Sequence, residues 1–353
     1  GSGCRRWRLG EGRSAMSELL PDEYVGFRYI VKYKSGKGKA GGQVYGCQDS
    51  RDPDGPRKVV KYPARREEYE ALQRIYKTSS EPLGLSRFFD CGLHRESKFI
   101  AMEHMGRPIL EVLQQQRVSL DAQWDSLRIL GRMVLRRLEV VHRAGIVHCD
   151  VQPGNILLDR CGFCQAGPCW RPYLIDFGCA QCLPWDKQLR PDFGTVDFNS
   201  IHSAEGGRRG PADDVESLGW VLCHGLLGVL PWFDFTKRAT WKEGKLVEEQ
   251  RWVVTAQVAE AKAALLDSGA SAFDVCWTHL GLMPAQLTEF LRLARSSSEK
   301  VGQLPDYGAL DRALGGCGLD TRDVEADRQD VELYAQHHRR CEAAMVYLDS
   351  LRL

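Results

Sequence analysis

The chain has 353 residues, 43% of them apolar and 27% charged, enough to bury a large core as one big domain or two closely packed lobes. Its 48 Lys and Arg against 47 Asp and Glu leave a formal net charge of +1, which excludes a whole-protein field drawing it to nucleic acid or to a membrane surface. No apolar run approaches membrane-spanning length, and 13 scattered cysteines without a secretory pattern predict reduced thiols in an intracellular setting, nuclear or cytoplasmic.

Residues 1–20 open with Gly1-Ser2-Gly3 and no initiator Met, and are expected to be a tag or disordered. Short β-rich runs follow at Tyr29 to Tyr33, Gln43 to Cys47, Arg57 to Tyr62 and Lys98 to Glu103, with one helical stretch from Ala64 to Tyr76. These predict a small β lobe over 21–105. Within it, Gly36-Lys37-Gly38-Lys39-Ala40-Gly41-Gly42-Gln43-Val44 is rich in residues without Cβ, which let backbone N–H groups approach a phosphate. The candidates are Gly36, Gly38 and Gly42. Lys61 lies in the third run, and Glu68 on the predicted helix shares its pattern with Ala71, Leu72 and Ile75 on the core side. Glu67 and Glu70 are its rivals.

From Ile109 onward the pattern becomes helical, with Ile129, Val134, Leu138 and Val141 as one apolar face before a short loop at Val147 to Asn155. A larger helical lobe is expected over 106–320. Asp52 to Pro56 and Gln165 to Pro172 read as hairpin loops. Cys161, Cys164 and Cys169 have partly metal-like spacing without an evident fourth ligand, and are expected to belong to an ordinary hairpin insert. The residues at 321–353 are rich in charge and helix formers, and predict either a docking helix or a solvated tail, with no partner indicated.

The strongest local signal is His148-Cys149-Asp150-Val151-Gln152-Pro153-Gly154-Asn155, followed later by Leu174-Ile175-Asp176-Phe177-Gly178. Phosphoryl transfer needs oriented attack and neutralised phosphate charge, so hard oxygen ligands on Mg²⁺ and a carboxylate beside the nucleophile suit it. The spacing resembles the catalytic loop and metal-binding triplet of protein kinases. Farther along, Gly194-Thr195-Val196-Asp197-Phe198-Asn199-Ser200-Ile201, then Asp213-Asp214-Val215-Glu216-Ser217-Leu218-Gly219-Trp220, and Leu230-Pro231-Trp232 resemble the casein kinase 1 superfamily, nearest its vaccinia-related branch. In that superfamily a Ser-Ile segment stands where most protein kinases have Ala-Pro-Glu. The resemblance runs from Phe27 to about Leu319, through Leu304-Pro305-Asp306-Tyr307.

The resemblance implies an α+β, two-lobed protein-kinase-like fold: a small antiparallel β lobe with one main helix, and a larger, mostly helical lobe. It implies transfer of the γ-phosphoryl group of ATP to Ser or Thr hydroxyls of protein substrates. By it, Asp150 takes the hydroxyl proton, and Asn155 and Asp176 hold Mg²⁺. Lys61 pairs with the phosphates and Glu68 supports Lys61. Val44 and Val59 cover adenine, and Met102, Glu103 and Met105 form the gatekeeper and hinge. Asp214 anchors the catalytic loop from the helix beneath it.

Departures from the pattern are informative. Cys149 replaces the Arg that pairs with a phosphorylated activation loop in many kinases, and Cys179 to Phe193 contains no Ser, Thr or Tyr. Each absence makes sense of the other, and control by phosphorylation of this segment is not expected. Arg208 and Arg209 stand earlier than the family's Arg pair and read as a solvated charged loop. Gln152 replaces the Lys that contacts the transferred phosphate. That exchange leaves two alternatives: a small-molecule phosphotransferase of the aminoglycoside or choline kinase type, and a weak or inactive pseudokinase scaffold. Retention of Lys61, Asp150 and Asp176 opposes the second.

Overall fold

Six strands form one antiparallel sheet in the order β1-β2-β3-β4-β6-β5: β1 Tyr24–Val25, β2 Tyr29–Lys37, β3 Gln43–Asp49, β4 Lys58–Tyr62, β5 Phe88–His94 and β6 Ser97–Glu103. The structure, a computed structural model, describes residues 18–37, 42–79, 82–109, 111, 120–161, 169–242, 245–267, 284–298, 302–318 and 324–350. One sheet face buries Val31, Tyr45, Val60, Phe99 and Ala101 in a core of its own. Strand alternation therefore turns the intervening side chains to the opposite face, toward the second lobe. β5 escaped the sequence reading because all but one of its residues are half-buried, so it lacks the alternation that marks a strand.

The first helix, α1 (Arg66–Thr78), buries Glu68, Ala71, Leu72 and Ile75. It begins two residues later than expected. Ala64 is held by its own N–H on the Lys98 carbonyl at 2.7 Å, and Arg65 keeps an extended backbone at the cap. Leu19, expected among tag or disordered residues, is instead buried, with its N–H 3.1 Å from the Tyr45 hydroxyl.

The larger lobe is built on α2 (Leu120–Arg143), α3 (Pro211–Leu227), α4 (Phe233–Arg238), α5 (Glu248–Asp267), α6 (Ala285–Ser298) and α7 (Tyr307–Ala313). α3 is buried along almost its whole length, as an apolar helix at the centre of a lobe should be. Leu127, Leu130, Val134, Leu138 and Val141 of α2 pack in the same core. Short strands complete the lobe: β7 (Arg107–Pro108), β8 (Ile146–Val147), β9 (Ile156–Cys161), β10 (Cys169–Leu174), β11 (Gln181–Cys182), β12 (Trp241–Lys242) and β13 (Lys245–Leu246). Cys169 to Pro172, expected within a loop, belongs to β10, which pairs with β9 from Cys161 to Ile156. Gln165 and Cys164 lie outside the described residues, as do the side chains of Cys161 and Cys169.

The tail expectation resolves toward docking. α8 (Val324–Ser350) places Val331, Tyr334 and Ala335 in the core of the large lobe. Its Asp327 carboxylate receives the Arg137 guanidinium from α2 and Arg171 from β10, the latter at 2.7 Å. Asp330 pairs with Arg132 and, at 2.6 Å, with Arg136. A solvated tail does not describe a segment whose acidic residues neutralise buried guanidinium groups.

Among the described residues no helix is long and apolar enough to cross a membrane, and no His, Cys, Asp and Glu group is arranged to hold a metal ion.

Candidate active site

Register determines what the space between the lobes sees. Gly36 pairs with Val44, Val44 with Lys61, and Val59 with Met102, so residues from four strands fall into two cross-strand rows. With Glu68, Glu103 and Met105 they line a cleft of about 500 Å³, whose opposite wall carries Gln152, Asn155, Leu157 and Asp176. Gly42 is placed otherwise. It is buried, and a Cβ there would stand 2.6 Å from the Pro63 carbonyl oxygen, so its missing side chain serves close backbone packing and not the cleft lining. Gly38 lies outside the described residues.

Lys61 is the electrostatic centre of the cleft. Its Nζ lies 2.7 Å from Glu68 Oε2 and 2.6 Å from Asp176 Oδ1. Burial works against the ammonium, but the two carboxylates outweigh it and the Lys61 pKa is raised. Burial pushes the Glu68 carboxyl up to about 7, with Lys61 pulling back only in part. For Asp176 the balance is reversed: burial is overcome by Lys61 and by the Gly178 N–H, and its pKa is lowered.

Asp176 adopts a left-handed backbone, φ 62°, while Phe177 turns into the core against the His148 ring, with ring centroids 5.0 Å apart. The Asp176 contacts to Lys61 Nζ and Gly178 N both use Oδ1, and among the described residues Oδ2 has no hydrogen-bond donor. Asn155 donates its amide N–H to the Asp150 carbonyl at 2.8 Å and to Asp150 Oδ2 at 3.1 Å. Its amide oxygen is left as the acceptor of a cleft-lining residue. One carboxylate and one amide oxygen facing the same space form a hard-donor set that suits Mg²⁺.

The loop that carries Asp150 is held from below. Asp214, at the start of α3, accepts the N–H groups of His148 at 2.6 Å and Cys149 at 2.8 Å. His142 donates to the same carboxylate at 2.9 Å and meets the Tyr307 hydroxyl through its other ring nitrogen at 2.5 Å. Burial is outweighed by these donors and the Asp214 pKa is lowered. His142 and Tyr307 had no local signal as a pair, since 165 residues separate them. Cys149 is buried at φ 61°, and burial raises its thiol well above the ordinary range.

On the far side of Asp150 a second groove of about 640 Å³ opens, lined by Asp150, Phe193, Gly194, Thr195, Val196 and Asp197 among others. Thr195 Oγ1 donates to Asp150 Oδ1 at 2.5 Å. Gly194 is required there: at φ 79°, a Cβ would come 2.5 Å from the Cys149 carbonyl oxygen. Sequence reasoning placed Thr195 in a family motif but did not join it to Asp150. Arg209 is buried, contrary to the solvated loop expected of it, because its guanidinium sits over the Phe193 ring and reaches the Pro191 and Asn199 oxygens at 3.4 Å. Arg208 alone is exposed.

Comparison with known proteins agrees with this geometry. The sequence profile of the protein kinase domain family matches residues 29–274. The human mitogen-activated protein kinase kinase kinase 4 is 30% identical over 170 residues, which cover 46% of this chain and 10% of that protein. The chain thus spans about a tenth of that relative's length. With the family profile covering more than half the chain, an antiparallel β lobe and a helical lobe meeting at a carboxylate-lined cleft, this chain belongs to the protein kinase domain family.

Proposed function

We propose that the chain is an active serine/threonine protein kinase that transfers the γ-phosphoryl group of ATP, with Mg²⁺, to hydroxyls of protein substrates. Protein kinases as a family use this nucleotide and metal, and the metal supplies charge neutralisation at the phosphates when bound. In this chain Asn155 and Asp176 would hold it, Lys61 would meet the phosphates with Glu68 behind it, and Val44, Val59 and the Met102 to Met105 strand end would take the base.

The observation that carries the reading is the position of Asp150. Its carboxylate lies on the wall between two spaces: Asn155, which it binds, lines the interlobe cleft, and Thr195, which it also binds, lines the outer groove. A hydroxyl presented from the groove reaches a carboxylate already oriented by two hydrogen bonds, and that carboxylate takes its proton as the oxygen attacks. The groove is long and open, about 640 Å³ with lining that runs from Arg65 and Cys179 through Leu189 to Asp197 and on to Trp241, which supports a peptide acceptor over a compact small molecule. The formed Lys61–Glu68 pair and the packed Phe177 favour turnover over an inert scaffold. Placement in the casein kinase 1 superfamily, near its vaccinia-related branch, rests on the Gly194 to Ile201 and Asp213 to Trp220 segments. In support, Glu216 accepts the Ile201 N–H at 2.8 Å, so these two segments are bonded to each other.

Labelled phosphate incorporation by the wild type beside Asp150→Asn tests the proposal. Transfer to a mixed protein substrate should be lost in the variant while ATP binding is kept. Transfer to kanamycin or choline and to no protein would replace the reading with the small-molecule one. No transfer to any acceptor would leave the pseudokinase.

A further inference from the structure

Lys262 takes no part in the chemistry above, yet at 1% exposure it is more deeply buried than Lys61 at 3%. It lies on the buried stripe of α5 with Val254, Val258, Leu265 and Leu266, where the helical period calls for an apolar residue. A methionine would fill such a place without the cost of taking an ammonium out of water. No carboxylate among the described residues makes an ion-pair contact with this ammonium, although burial, which disfavours its charge, is partly offset by the nearby Glu216 and Asp197 carboxylates. The ammonium donates to the carbonyl oxygen of Asn199 at 2.6 Å and approaches that of Val196 at 3.3 Å. It also lies 5.1 Å from the Trp232 ring centroid and 5.5 Å from that of Trp220, two indoles set at 87° to each other.

The same short segment is gripped at its other polar groups. Trp232 donates its indole N–H to the Asp197 carbonyl at 2.9 Å, and Thr236 holds the Asp197 carboxylate at 2.8 Å. Glu216 takes the Ile201 N–H at 2.8 Å and the Trp220 indole at 3.2 Å. Residues 196–201 thus hang on side chains from α3, α4, α5 and the turn before α4. Their N-terminal neighbour is Thr195, bonded to Asp150, and Val196 and Asp197 form part of the groove wall.

We propose that Lys262, caged by Trp220 and Trp232, is a positioning residue that latches the 196–199 backbone and so shapes the wall against which the acceptor peptide docks. The role of that wall rests on the kinase reading, whereas the latch itself does not. The ammonium gathers two carbonyls that point the same way, which an apolar side chain of equal length cannot do. Its contact with the acceptor is indirect, through the segment. Loss of the charge should therefore weaken peptide binding and leave the nucleotide cleft, on the other side of Asp150, unaltered.

The test compares the wild-type chain with Lys262→Met, with Trp232→Phe as a milder second variant that keeps an aromatic face and loses the indole N–H. Amide hydrogen exchange is followed alongside steady-state kinetics, below the melting temperature of each variant. Exchange over residues 196–201 should quicken at least tenfold in Lys262→Met and less in Trp232→Phe, with α2 unchanged. The KM for a peptide substrate should rise about fivefold or more while the KM for ATP stays within twofold. Lys262→Arg, which keeps the charge, should recover part of both effects. Unchanged exchange over 196–201, or an increase spread equally over α2, overturns the latch. Equal change in the two KM values overturns its role in docking. If Lys262→Met does not fold, Trp232→Phe decides on the same two readouts. A wild type that transfers no phosphate defeats the kinase reading, and the exchange result still decides the latch.

Discussion

Replacing Asp327 with alanine removes the carboxylate that neutralises Arg137. The Arg137 side chain is fully buried, and its remaining partners are carbonyls, Met133 at 2.7 Å and Pro172 at 3.1 Å. Arg171, 21% exposed, loses the same partner and can turn to water, so most of the cost falls on Arg137. Breaking a buried pair by deleting one member costs about 3–5 kcal/mol, because a charge is left without compensation. At roughly 2–4 °C per kcal/mol for domains somewhat smaller than this one, the melting temperature should fall on the order of 5–15 °C. The pH dependence has a definite sign. Burial is outweighed by Arg137 and Arg171, so folded Asp327 has a lowered pKa and holds its proton less tightly than the unfolded chain. Its contribution is therefore complete above the unfolded carboxylate pKa of about 4 and is lost as pH falls through the folded value. Calorimetry of wild type, Asp327→Ala and the double variant Asp327→Leu with Arg137→Met measures it, and the apolar pair should regain most of the loss. A fall below about 1 °C in the single variant, equivalent to less than 0.5 kcal/mol, would refute the docked position of α8.

Mg²⁺ with ATP should raise the melting temperature of the wild type, and Asp176→Ala should lose most of that rise, as read by differential scanning fluorimetry at millimolar nucleotide. Gln152→Lys should increase kcat several-fold with little change in ATP affinity, since a charge-assisted bond to the transferring phosphate is worth about 1.5–3 kcal/mol, chiefly in the transition state; lower activity would give Gln152 a role of its own. Thr195→Val should reduce phosphate transfer roughly tenfold or more by removing the bond that orients Asp150, and an unchanged kcat would contradict that orientation. Phosphatase treatment of the active protein should leave its rate nearly unaltered, because Cys179 to Phe193 offers no hydroxyl to phosphorylate.

What the sequence by itself determined is the set of kinase-family motifs and their order along the chain. His148 to Asn155, Leu174 to Gly178 and the Lys61 run are contiguous, and their residue types follow from what a phosphate, a divalent cation and a hydroxyl require. The two lobes were also legible, since a change from alternating to helical periodicity is a local property. Glu68 could be chosen over Glu67 and Glu70 because helical spacing puts it on the face of Ala71, Leu72 and Ile75. Tertiary structure alone decided the rest. That Gly42 packs on Pro63, that Arg209 is buried over Phe193, and that Asp327 closes on Arg137 across 190 residues each depends on backbone brought together from distant parts of the chain. Lys262 shows the limit most plainly. Its neighbours in sequence mark the position as core, and the carbonyls of Val196 and Asn199, 66 and 63 residues away, with the nearby Glu216 and Asp197 carboxylates, explain why a charge stands there. A buried cation is stable where acceptors converge on it, and convergence is a property of the folded chain.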